Sequence, residues 1–156
     1  MLKKIKVKKG QILQRKGDIH TKVYEVESGL LRSYSIDNKG KEHIFMFAPE
    51  GWIIADNGSP DQPCELFIDA LEESILFEKE KKLDSEHSNQ KLIKRLGVLQ
   101  TRVIMLMSAS AIERYEHFLG MYPDIVQRVP QRMIASYLGI TPEALSTVKR
   151  LQFRNK

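Results

Sequence analysis

Short runs of alternating or continuous apolar residues fill the first half of the chain. They are Ile5-Lys6-Val7, Gln11-Ile12-Leu13, Lys22 to Val26, Leu30 to Ile36, His43 to Phe47, Leu66 to Ala70 and Ser74 to Phe77. Turn-forming clusters separate them: Lys9-Gly10, Lys16-Gly17-Asp18, Ser28-Gly29, Asp37-Asn38-Lys39-Gly40, Pro49-Glu50-Gly51 and Asn57-Gly58-Ser59-Pro60. Short strands punctuated at about 8–12 residues predict an antiparallel sandwich or barrel over residues 1 to about 78. Asp37 to Gly40 predicts a hairpin turn.

From about Asn89 the apolar period changes from that of a strand to that of a helix. Leu92, Leu96, Leu99, Val103 and Leu106 recur at spacings of 4, 3, 4 and 3, a heptad seam suited to a second copy of the same helix. Ile93, Val98, Ile104, Met105 and Met107 widen the apolar surface, so one side can rest on the chain's own strands while the other meets a partner. Ser110 takes the next seam position and weakens it, and Glu113 to Met121 continues helically after a bend. Gly120 and Pro123 then break the chain.

Gln131 to Arg150 reads as two short helices joined at a tight turn. Ile134, Ala135 and Leu138 give the first an apolar face, and Gly139 falls where a left-handed residue would end it. Thr141 can cap the second helix, Pro142 suits its first position, and Glu143 suits its positive end. Ala144, Leu145, Val148 and Leu151 form the expected buried face, leaving Glu143, Ser146, Thr147 and Arg150 on the other. That pattern predicts a helix-turn-helix whose second helix is presented to DNA.

Charge strengthens this expectation. The chain carries a net +5, and residues 127–156 alone hold six basic residues (Arg128, Arg132, Lys149, Arg150, Arg154, Lys156) against Glu143. The preceding residues therefore sum to zero, and the excess lies where phosphate contacts would use it. The five lysines among the first nine residues instead suit the solvent face of an edge strand. Cys64 is the single cysteine, which rules out an internal disulfide and fits a reducing cytoplasm. No apolar run is long enough to span a membrane, and no apolar core follows the basic start as in a secretory signal. His20, His43, His87 and His117 show no ligand spacing, and no Ser/His/Asp, paired-carboxylate or Gly-rich phosphate signature occurs. No metal, catalytic residue or enzymatic activity is expected.

The order of these parts resembles the Crp/Fnr family of bacterial transcription regulators over nearly the whole chain. The resemblance is carried by Gly10 to Asp18 (GQILQRKGD), Val23 to Arg32 (VYEVESGLLR), Asp37 to Glu42, Arg114-Tyr115, Tyr122-Pro123, and Arg128 to Gln131 running into IASYLGITPEALS. The last group looks most like Bacteroidetes members. The resemblance implies an α+β chain: an N-terminal antiparallel β-roll or jelly roll (1–84), a long dimerisation helix and hinge (85–119), and a helix-turn-helix (120–156) without a full wing. It implies a homodimer on palindromic promoter DNA, with RNA polymerase as a further partner if the protein activates.

By position in the family, Thr141, Pro142, Glu143, Ser146, Thr147 and Lys149 or Arg150 lie nearest DNA, and Glu143 matches a base-reading glutamate. Thr147 stands where relatives often carry arginine. Arg128, Arg132, Lys149 and Arg150 suit phosphates. Cyclic-nucleotide binders pair a Gly-Glu with a later Arg-Ser or Arg-Thr that holds the cyclic phosphate. Here Cys64-Glu65 occupies that place and no arginine lies between Arg32 and Arg95, so cyclic AMP is not the expected effector. Any other effector would meet Trp52, Asp56, Cys64, Glu65 and Phe67, with Trp52 also suited to plain core packing. The competing expectation is a small-molecule-binding β-roll whose helical tail contacts protein; the concentration of charge in residues 127–156 opposes it.

Overall fold

The structure, a computed structural model, describes residues 2–81 and 86–154, excepting the side chains of residues 86–89, 91 and 92. The chain divides into two compact units, Met1–Leu83 and Asp84–Lys156. The expected boundary between residues 84 and 85, and the seam position Leu92, fall outside what is described.

The first unit contains β1 (Lys3–Val7), β2 (Ile12–Gln14), β3 (Lys22–Ser28), β4 (Leu31–Ile36), β5 (Glu42–Ala48), β6 (Ile53–Ile54), β7 (Phe67–Ala70) and β8 (Ser74–Glu80). They form two antiparallel four-stranded sheets, ordered β1-β8-β3-β6 and β2-β7-β4-β5. Alternation along each strand sends Val7, Tyr24, Val26, Ile54 and Leu76 from one sheet, and Leu31, Ala48, Ile68 and Ala70 from the other, into one core. Burying a residue such as Leu76 completely contributes about 1.5–3 kcal/mol. Trp52 packs, half-buried, against the same cluster. The two-residue strand β6 is absent from the sequence-based expectation, because the turn residues on either side of Ile53-Ile54 dominate the local signal.

Local chemistry closes the hairpins. In the β4–β5 turn, Asp37 Oδ1 accepts from the backbone N–H of Lys39 and Lys41 at 2.9 and 3.0 Å, and Oδ2 lies 2.9 Å from His43 Nε2. These bonds, the one to His43 foremost, lower the Asp37 carboxyl to about 2. Gly29 is held more strictly, since its φ is +97° and a Cβ there would stand 2.2 Å from Ser74 Oγ. This close approach lets Ser74 Oγ accept from the Leu30 N–H at 3.2 Å, joining the β3–β4 turn to the start of β8.

The second unit consists of α1 (Glu86–Ser108), α2 (Ala111–Met121), α3 (Ile125–Arg128), α4 (Gln131–Leu138) and α5 (Pro142–Arg154). Ser110 does not extend the seam. It caps α2 through a reciprocal pair. The Ser110 Oγ accepts from Glu113 N, while the Ser110 N–H donates to Glu113 Oε2 at 2.7 Å. A residue that caps one helix breaks the other, so α1 ends at Ser108. Gly120 lies inside α2, which puts the expected boundary between residues 119 and 120 within a helix.

Replacing Gly29 with Ala imposes a positive φ on a residue with a Cβ, at a cost of about 1–2 kcal/mol. It also drives that Cβ into Ser74. Gly10, at φ +80° with no atom within 4 Å of a built Cβ, isolates the backbone part. Urea unfolding of the full chain should show Gly29→Ala losing at least about 1 kcal/mol more than Gly10→Ala, the lower end of an overpacking penalty.

Candidate nucleic-acid interface

The helix-turn-helix is built from its joint outward. Gly139 ends α4 in the left-handed region at φ 66°, ψ 33°. Its N–H returns to Ala135 O and Ser136 O, and the Ile140 N–H reaches Ala135 O at 3.0 Å, tightening the helix end. One residue later Thr141 opens α5: its Oγ1 accepts from Ala144 N at 3.1 Å and its carbonyl from Leu145 N at 3.0 Å. Pro142 occupies the first helical position, where its missing N–H costs nothing.

Packing then decides which face is presented. Ile134, Ala135, Tyr137 and Leu138 of α4 and Leu145 and Val148 of α5 are buried, and α2 packs against both helices. Phe118, Tyr122 and Tyr137 form an aromatic cluster. Phe118 lies 5.3 Å, centroid to centroid, from each tyrosine ring, and the two tyrosine rings are 5.6 Å apart. Ala144 is half-buried. Leu151, expected on the buried face, is 38% exposed, so the buried face of α5 is not continued there.

Thr141, Pro142, Glu143, Ser146, Thr147 and Arg150 are exposed, while Lys149 is half-buried. Ser146 Oγ donates to Pro142 O at 3.1 Å, and Thr147 Oγ1 donates to Glu143 O at 3.2 Å. Both hydroxyls therefore keep lone pairs for an incoming donor. Arg132 is exposed in the first turn of α4, and Arg128, half-buried, closes α3. A polar helix face with cations beside it can lie in a groove and neutralise phosphates.

The five residues expected around an effector have different surroundings: Trp52 packs, half-buried, against the core. Asp56 is buried and organises its own loop, accepting from Gly58 N at 2.7 Å and Glu65 N at 3.3 Å. Cys64 is buried, its Sγ donating to Arg15 O at 2.9 Å, and burial pushes its thiol up. Glu65 is exposed, 3.5 Å from Lys16 Nζ. Ile68 and Ala70 face the core, so alternation turns Phe67 and Asp69 to the opposite side of their sheet. There Phe67 stacks on Tyr34 at 5.3 Å, and Tyr34 covers the Arg32 guanidinium at 4.0 Å. A cavity of about 550 Å³ lies at the β2–β3 loop, with Asp18, His20, Lys22, Tyr24 and Glu78 in its wall. Burial, with the charges of Glu78 and Asp18, pushes the Tyr24 hydroxyl up to about 12.

Arg32 is the residue here that sequence reasoning misses. It is buried and donates to Asp69 through Nε and Nη2 at 2.8 and 2.9 Å, and to Glu42 through Nη1 at 2.6 Å. Burial opposes its charge, but the hydrogen bonds to the two carboxylates outweigh that and hold the guanidinium protonated beyond its ordinary range. The arginine nearest in sequence before Cys64-Glu65 is thus already committed. The available signal is a charged residue interrupting each of two apolar strands, Arg32 in β4 and Asp69 in β7. Among the described residues no group of three His, Cys, Asp or Glu side chains could hold a metal, and no helix is long and apolar enough to cross a membrane.

This geometry has counterparts among known proteins. The chain is 27% identical over 161 residues to the fumarate and nitrate reduction regulatory protein of Vibrio cholerae, covering 90% of this chain and 64% of that protein. It is 29% identical over 163 residues to the protein of the same name in Salmonella typhimurium, with 90% and 64% covered. The chain thus spans a little under two thirds of the length of these curated relatives. Among solved structures, FixK2 from Bradyrhizobium japonicum matches with a TM-score of 0.82 at 19% identity, covering 99% of this chain and 86% of that one. A CRP/FNR-family transcriptional regulator from Thermus thermophilus matches at 0.77 and 17% identity, covering 98% and 87%. No protein-family model matches the chain. In sequence and in fold the chain resembles the Crp/Fnr regulators.

Because Arg32 is held by two carboxylates and Glu65 is an exposed acid where cyclic-nucleotide binders carry Arg-Ser or Arg-Thr, calorimetric titration of the full chain with cyclic AMP should give no saturable heat. Micromolar binding would overturn that expectation.

Proposed function

We propose that this chain is a sequence-specific DNA-binding transcription regulator of the Crp/Fnr type, acting in the cytoplasm as a homodimer. The observation that carries the proposal is the joint: a left-handed Gly139 followed by a Thr141-capped α5 whose outer face is polar. The net charge of the whole chain is concentrated in the segment that holds this joint. α5 enters a major groove, where Glu143 accepts from a cytosine amino group and Thr141, Pro142, Ser146 and Thr147 lie along the bases. Arg128, Arg132, Lys149 and Arg150 bind phosphates and fix register without reading sequence. The β-roll acts as sensor for an effector other than cyclic AMP, RNA polymerase is a partner if the protein activates, and the chain performs no catalysis.

α1 supports the dimer. In this single chain Leu96 is 65% exposed, Val103 54% and Met107 81%, with Ile93, Val98 and Ile104 also exposed. Leu99 and Leu106, the other two described seam positions, are half-buried within their own chain. An apolar helix face of this extent, in heptad register, fits a second copy of itself through knobs-into-holes packing.

Titration of the purified protein against a selected palindrome should show a steep salt dependence, and Arg150→Ala should weaken binding and lower the slope by about 1. Unchanged affinity and slope would remove Arg150 from the interface. The double variant Leu96→Glu with Val103→Glu should yield folded monomers by sedimentation, because neither side chain is buried in its own chain. A dimer that survives both substitutions would place the interface elsewhere.

A further inference from the structure

The structure assigns to Arg102 and Arg114 a role in positioning the DNA-reading helix relative to the long helix α1. This inference rests on the DNA-binding proposal above and extends it to how orientation is held. A helix leaves its last carbonyls unpaired, and the end of α4 is no exception. Two of them, Tyr137 O and Leu138 O, are taken by arginines from other helices. Arg102, on α1, donates from Nη2 to Tyr137 O at 3.2 Å while its guanidinium lies over the Tyr137 ring at 4.0 Å. Arg114, on α2, donates from Nη1 to Leu138 O at 3.2 Å.

Arg114 does more than cap α4. Its Nη2 donates to Leu106 O at 2.7 Å, in the last turn of α1, and its Nε to Ala109 O at 3.1 Å, in the break that follows. One planar guanidinium therefore stands between the carbonyl ends of α1 and α4, where both helix dipoles favour a cation. Gly139 completes the contact: a Cβ built on it would lie 3.7 Å from Leu106 Cδ2 and 3.8 Å from Arg114 Nη1. The end of the expected dimer seam, Leu106, thus meets the turn of the helix-turn-helix through one side chain. In a two-fold dimer this fixes the separation and mutual angle of the two α5 helices, and so the half-site spacing that the dimer accepts.

The test uses full-length Arg114→Gln and Arg114→Lys, the second keeping charge and stem while losing the fork, with Arg102→Gln as an independent variant. Affinity is measured for the selected palindrome and for the same half-sites moved apart by a couple of base pairs. The wild type should lose at least about tenfold on respacing, the scale of one mismatched contact, whereas the Arg114 variants should discriminate several-fold less while remaining dimeric. Equal loss on both DNAs, with discrimination intact, would make Arg114 a stability residue and overturn the inference. Hydrogen exchange without DNA is the second readout. Gly139 and Ile140 amides should lose protection in every variant that folds, while those of Ile134 and Phe118 keep theirs. Uniform change or none would also overturn it. A wild type that ignores DNA would defeat the DNA-binding proposal, and the exchange data would still judge the clamp.

Discussion

The helical unit depends on the pairing of the carbonyls that α4 cannot satisfy by itself. Gly139 turns the chain only because a left-handed residue costs glycine nothing, and that turn strands Tyr137 O and Leu138 O. Unpaired buried carbonyls cost about 1–3 kcal/mol each. Here they are met by guanidinium groups from α1 and α2, so the end of one short helix draws two others to it. The aromatic cluster of Phe118, Tyr122 and Tyr137 packs on the same helix and supplies the apolar half of the arrangement. Under the clamp proposed above, α5 keeps its shape without this capping but not its bearing.

The β unit solves a different problem. Its two sheets close over a core of ordinary side chains, and its strictest constraints are at the rims, where backbone must pass close to backbone. Gly29 against Ser74 ties the turn between the two sheets to the first residue of β8. On the far face of the second sheet, Arg32, Asp69 and Glu42 form a charged network beneath Tyr34. Such a network adds little net stability compared with apolar packing, but it admits one geometry.

What the sequence disclosed is what local chemistry controls. Gly139, Thr141 and Pro142 act on their immediate neighbours, so their roles are legible from order alone, as is the strand-to-helix change of period after Ser74 to Phe77. Ser110 misleads because a heptad count treats position as fate, while a Ser with Glu three residues on is also a capping box. Leu151 misleads because periodicity says which face a residue takes and not how far along the helix that face is covered. The partners of Arg32, Arg102 and Arg114 lie from 5 to 37 residues away, and no local rule pairs an arginine with its acceptor at such separations. Order alone also does not say which side of its sheet Phe67 takes: Ile68 beside it enters the core, and alternation sends Phe67 to the other face.

The Arg32 network also sets the electrical character of its face of the roll. One guanidinium facing two carboxylates leaves the triad, taken by itself, with a surplus of negative charge. An anion brought against the triad itself would meet two carboxylates and a guanidinium already paired with both. A neutral or cationic molecule meets no such barrier.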